Sequence, residues 1–184
     1  MIDDHAGLME RFDHAIAGYV PVARWRDRAD GGGSSIAWLV LHTALHEDLA
    51  VSTASRGQVP HRVGWQDDLG LGGFSAHVGL GEAEDTAATA AVDLDALCAF
   101  ASEVHRDVHS WLETIELTQL DDTPPAGTRI DALAGVTAAA VPWLHAMWQD
   151  KTVGWFVRWE AVGHRQGHLG EMISVRNRLG LSPF

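Results

Sequence analysis

The stretch SSIAWLVLHTALHEDLAV, residues 34–51, decides how the chain folds. From Ile36 to Leu41 it has no polar side chain, and the serines at its head offer an oxygen to cap a helix. A helix that is apolar on every side cannot face water along its length, so this one is expected to be largely buried. The breaker cluster ADGGGSS, residues 29–35, separates it from what comes before.

Working outward, the helical period recurs. Leu8, Phe12, Ala15, Ile16 and Tyr19 make one stripe, with Asp3 or Asp4 as cap and an end before Pro21. Leu94, Leu97, Cys98, Ala101, Val104, His105, Val108, Trp111, Leu112 and Ile115 make another, which LDDTPPAGT at 120–128 terminates. Ile130 to Gln149 is Ala-rich and interrupted by Pro142, which predicts a short or kinked helix with Trp143, Met147 and Trp148 turned inward. A last helix from about Thr152 to Leu179 stops at Gly180. Between the second and third helices, Arg56 to about Asp93 is Gly-rich and aperiodic, most clearly in GLGGFSAHVGLGEAED at 70–85, and reads as a lid or rim loop. Strand signals are scarce. The expectation is a single all-α domain over 1–184, a four-helix bundle with a long Gly-rich loop between helices two and three and a short extra helix before the last.

Composition narrows the function. With 184 residues, 46% hydrophobic and 21% charged, the chain has the makings of a globular core. Its net charge of −12, from 13 basic against 25 acidic residues, argues against a phosphate-backbone binder and hence against nucleic acid. The acidic start MIDDHAGLMERFDH is unlike a signal peptide, and no apolar run reaches the roughly 20 residues that span a bilayer, so a cytoplasmic protein is expected. The single cysteine, Cys98, rules out an intramolecular disulfide and a multi-thiolate zinc site. It sits mid-stripe with no basic neighbour, which suits an inert apolar residue rather than a nucleophile. No nucleophile elbow, P-loop or dinucleotide fingerprint occurs.

The chemistry rests on imidazoles. In GHRQGHLGEM, residues 163–172, His164 and His168 stand four apart and so share a helix face, on which Val157, Glu160, Glu171 and Val175 also fall while Arg165, Gln166 and Arg176 point away. Two such rings flanked by carboxylates suit a metal better than two separately packed residues. The spacing alone is common, since the chain has 11 histidines and repeats it at His42/His46 and His105/His109. A third ligand from helix two is His42 or His46: His42 has Trp38, Leu39, Leu45 and Leu49 around it, and His46 precedes Glu47 and Asp48. His105 and His109 read as bundle-interface residues, and His145 and His77 suit packing or a loop equally well. Trp65, Trp155 and Trp159 are candidates to wall a pocket.

SIAWLVLHTALHEDLA, with Trp38 four before His42, followed downstream by GHRQGHLGEMISVRNRLGL, resembles the DinB/YfiT-like superfamily of helical bundles. The resemblance implies that His42, His164 and His168 bind a divalent metal, zinc or nickel foremost. Glu171 stands where glutamine is frequent and would be a fourth ligand or an acceptor for a ligand's ring. Several members are thiol transferases or isomerases, which implies a low-molecular-weight thiol, mycothiol- or bacillithiol-like, activated for attack on an electrophile, with Glu171, His46 and His77 as candidate bases. Usage of 12 Arg against one Lys hints at a GC-rich genome and is associated with mycothiol. Two other functions compete: a dinuclear His/carboxylate oxidase drawing on Glu47, Glu160 and Glu171, and a non-enzymatic metal-binding stress-response bundle. Leftover apolar faces would suit a homodimer.

Overall fold

The computed structural model describes residues 2–71, 82–133 and 135–183. It is all-helical among them. Helix α1 (Ile2–Phe12) runs into a π-helical turn, Asp13–Ala17; α2 (Ile36–Glu47) likewise continues as Asp48–Ser55. The short α3 (Arg62–Trp65) and α4 (Glu82–Ala91) precede α5 (Leu94–Leu112). Then come α6 (Ala126–Asp131), α7 (Pro142–Trp148) and α8 (Val153–Phe156), which passes through π-helical Val157–His164 into α9 (Arg165–Arg178).

Helices α1, α2, α5 and the continuous α8–α9 rod form the bundle. As its sequence requires, α2 is enclosed: every residue from Ile36 to Glu47 except His42 is buried. Ser35 caps it, its Oγ accepting from the Trp38 amide at 3.2 Å. Helix α5 lays Leu97, Phe100, Val104 and Val108, all fully buried, against α2, each worth roughly 1.5–3 kcal/mol of burial. Asp93 caps it, accepting from the Ala96 amide at 2.9 Å. A second core lies under the π-helical end of α2, where Leu49, Ala50 and Ala54 meet Ile130, Leu144, Trp148 and Phe156. No helix among the described residues is long and apolar enough to cross a membrane.

Several sequence expectations need correction. The Gly-rich loop is interrupted by α3 and by α4, whose EAEDTAATAA is a good helix-forming run without the apolar period that would have revealed it. The middle of that loop, with His77, lies outside the described residues. Asp3 and Asp4 stand in the first turn of α1 rather than at its cap, where their charge still complements the helix dipole. Tyr19 falls past the end of that helix and is 48% exposed, with the Arg176 guanidinium 5.7 Å over its ring. The segment before the last helix is two short helices, and Pro142 opens the second at a position that needs no amide hydrogen. Trp148 is buried there as expected, but Trp143 is 45% exposed.

Ser35→Ala should cost about 1 kcal/mol in urea unfolding, whereas Ser34→Ala, which leaves the cap in place, should change the midpoint little.

Candidate metal centre

His42 and His46 leave α2 on the side that meets the C-terminal rod, and His164 and His168 come from that rod. The His164 Nε2 stands 3.2 Å from His42 Nε2 and 3.0 Å from His168 Nε2. The rings of His42 and His168 are perpendicular, with centroids 4.9 Å apart. His46 adds a fourth imidazole, centroids 4.5 Å from His42 and 4.7 Å from His164, and the best-placed ring nitrogens of these three lie within 4.8 Å of one another. Two nitrogens each bonded at about 2.0–2.1 Å to one tetrahedral ion stand about 3.3 Å apart, so the 3.2 and 3.0 Å separations about His164 are compatible with a ligand set.

Carboxylates fix how the rings face. His46 Nδ1 donates to Glu160 Oε2 at 3.3 Å, and His168 Nδ1 to Glu171 Oε2 at 3.0 Å. In a neutral ring a proton on Nδ1 leaves a lone pair on Nε2, so His168 turns a lone pair towards the cluster. Glu160 is 1% exposed and is itself held by the Trp148 indole, whose Nε1 donates to Oε1 at 2.6 Å. Its Oε2 is also 3.8 Å from His164 Nδ1, an otherwise unpartnered buried nitrogen. Burial lowers the His164 pKa to about 3, helped by the nearby His46, His168 and Arg165. A neutral His164 with its Nδ1 proton towards Glu160 faces the His168 lone pair with its own, a repulsion that a shared cation removes. The donor set therefore fits a divalent ion on chemistry as well as distance.

The structure thus brings together His42, His164 and His168, with His46 beside them. Glu171 lies at the rim, its side chain 59% exposed, and touches the cluster only through His168. Trp143 closes one side, its ring 6.4 Å from that of His46. Trp65 instead donates to Glu103 at 3.1 Å, while Trp155 and Trp159 stack on each other. His145 Nε2 donates to the Val136 carbonyl at 2.8 Å, apart from the cluster. Cys98 is half-buried, and burial, then the Asp95 charge, pushes its thiol pKa up, as suits a poor nucleophile.

Arg165 and Arg176 correct the helical-wheel reading: both turn into the protein, because α9 packs against α1 as well as α2. Arg176 donates to the Ala15 carbonyl at 2.6 Å. Arg165 Nη1 donates to Glu47 Oε2 at 2.5 Å and to His105 Nδ1 at 2.8 Å. His5 Nε2 donates to the other oxygen of Glu47 at 2.6 Å, and its ring stacks on His105 with centroids 4.1 Å apart. His5, Glu47 and His105 are close enough to ligate an ion, but the guanidinium already supplies the positive charge among them. Glu47 is thereby committed away from His42, which counts against a dinuclear oxidase.

A family profile described as the DinB superfamily matches residues 8–172. The chain belongs to the DinB superfamily. A crystal structure of a conserved protein from Enterococcus faecalis shares this DinB-type fold, with a TM-score of 0.70 and 19% identity over 97% of this chain and 95% of that one. No curated protein matches the sequence.

Burial, the Arg165 charge, His5 and His109 together lower the His105 pKa to about 2. Above the ordinary value of about 6.5 this ring is neutral folded or unfolded; below it the unfolded chain takes a proton that the folded protein refuses. Stability should therefore fall as pH drops from about 6.5, by about 1.4 kcal/mol per pH unit for this group. His105→Gln, which can still accept from Arg165, should flatten that slope by one proton in urea titrations of metal-free protein.

Proposed function

We propose that this DinB-superfamily chain is a metal-dependent transferase or isomerase that activates a low-molecular-weight thiol, of the mycothiol or bacillithiol kind, for attack on an electrophilic substrate. The observation that carries the reading is the convergence of His42, His164 and His168 Nε2 atoms, separated by 3.2 and 3.0 Å about His164. These three would hold a divalent ion, with zinc or nickel suited to imidazole donors. Bound there, the ion supplies an open coordination position at which a thiol is more acidic.

The chain's own groups would then divide the work. His46, its ring oriented by Glu160, takes the thiol proton as general base. Glu171 acts through His168, fixing its tautomer and orientation as a positioning residue. The half-exposed Trp143 beside His46 offers an aromatic wall to the electrophile. Thiolate sulfur forms the new bond to carbon, and His46 returns the proton to the leaving group or adduct. A soluble thiol of this type is a cytoplasmic cosubstrate.

Elemental analysis of the purified protein should give one divalent ion per chain. His168→Ala should lower metal affinity by more than about 100-fold, and Glu171→Gln by about 10-fold, with far-UV spectra unchanged. Turnover of a thiol with a chloro-dinitroarene should vanish in His168→Ala. A protein that binds no metal, or binds it without any thiol response, would remove the basis of the proposal.

A further inference from the structure

Across α2 from His42 lies a second, unrelated space. At 100° per residue Val40 and Ala44 are on the opposite side of that helix from His42, with Thr43 on the flank between, and all three line a cavity of about 230 Å³. Its inner wall is buried and apolar: Leu8, Trp25, Ala44 and Met172 are each no more than 4% exposed. Exposed Asp13, Ala17 and Val22 stand at its mouth, where the π-helical turn ends α1. Protein interiors are normally filled to the density of organic crystals, and an apolar space this large forfeits contacts that larger side chains at Ala44 or Ala101 would restore. It has the character of a place kept for something.

Of the polar residues in its lining, Asp13 is exposed at the mouth, Thr43 already donates to the Leu39 and Val40 carbonyls, and Arg165, beside Ser102, is the charged donor that defines the head of the occupant. Arg165 lines the cavity with its side chain 13% exposed. Its Nη1 is used by Glu47 and His105, but the contact of Nη2 is the Met9 thioether at 3.4 Å, a weak acceptor. Glu47 already balances the guanidinium charge, so a second carboxylate would bring uncompensated charge into a buried site. A neutral oxygen acceptor would not.

We propose that this cavity binds a neutral, fragment-sized apolar molecule bearing one carbonyl-type acceptor, the oxygen on Arg165 Nη2 and the body among Leu8, Trp25 and Met172. Scaled from a cavity of about 150 Å³ that takes benzene, the space admits about nine non-hydrogen atoms. Acetophenone has that size and chemistry. Cumene matches its bulk without the acceptor. The site does not rest on the metal reading.

Cys98, the sole cysteine, lines the same cavity and reports on it directly. Its alkylation by N-ethylmaleimide, followed by mass spectrometry on the full chain, should slow by about tenfold when acetophenone is present at ten times its dissociation constant. Cumene should protect with about fivefold weaker affinity, the value of one hydrogen bond. Ala101→Phe, which fills the space, should abolish any upward shift of the melting temperature by acetophenone. The wild-type melting shift needs no variant: the absence of both protection and shift at millimolar acetophenone overturns the site. Equal protection by cumene overturns the role given to Arg165, and persistence of the shift in folded Ala101→Phe places the ligand elsewhere.

Discussion

His46, Glu47 and Asp48 are consecutive, and none is more than 3% exposed. A helix with no face to solvent cannot carry three such groups unless the surrounding elements supply partners, because a buried polar atom left unpaired costs about as much as several methylenes return. Each neighbour answers one of them. His46 is met by Glu160 from the C-terminal rod, Glu47 by His5 of α1 and Arg165 of α9, and Asp48 by the backbone amides of His61 and Arg62, both at 3.0 Å. The apolar contacts of the bundle are tolerant of sliding; these pairings are not, and they set the register of α1, α3 and the C-terminal rod on α2.

The same constraint separates two electrostatic compartments. On one side of α2 four imidazoles point ring nitrogens at one another with carboxylates behind them. On the other, a permanently charged guanidinium is enclosed by a carboxylate and stacked imidazoles. Arg165 belongs to the second group in contacts but adjoins His164 in sequence, so its charge helps to keep that ring unprotonated. His61 shows the opposite balance: its hydrogen bond to Asp48 Oδ1 at 2.8 Å outweighs burial and raises its pKa.

Much of this could be read from residue order. The all-apolar run of α2, the amphipathic α5 and the Gly180 stop each follow from a period or a punctuation mark, and the pairing of His164 with His168 needs only the helical repeat. The resemblance in WLVLH selected His42, which spacing alone could not separate from His46; the structure sets both near His164. What stayed hidden depends on the third dimension. The inward turn of Arg165 requires knowing that α9 has neighbours on two sides, and the anchoring of Glu160 by Trp148 joins a tryptophan to a carboxylate across a chain reversal. Helix α4 escaped because it lacks an apolar period, not because its residues resist helix formation.

Both helices that carry the imidazoles widen to an i→i+5 hydrogen-bond pattern beside them, after Glu47 in one and up to His164 in the other. A wide turn is the form in which a helix absorbs one surplus residue without breaking. Gain or loss of a single codon within Val157–His164 would tighten or loosen the winding there and rotate the upstream tryptophans and Glu160 about His164, while Arg165–Arg178 kept its seat. Relatives whose alignments show a one-residue gap at this place would differ in what surrounds the imidazoles and not in the bundle that holds them.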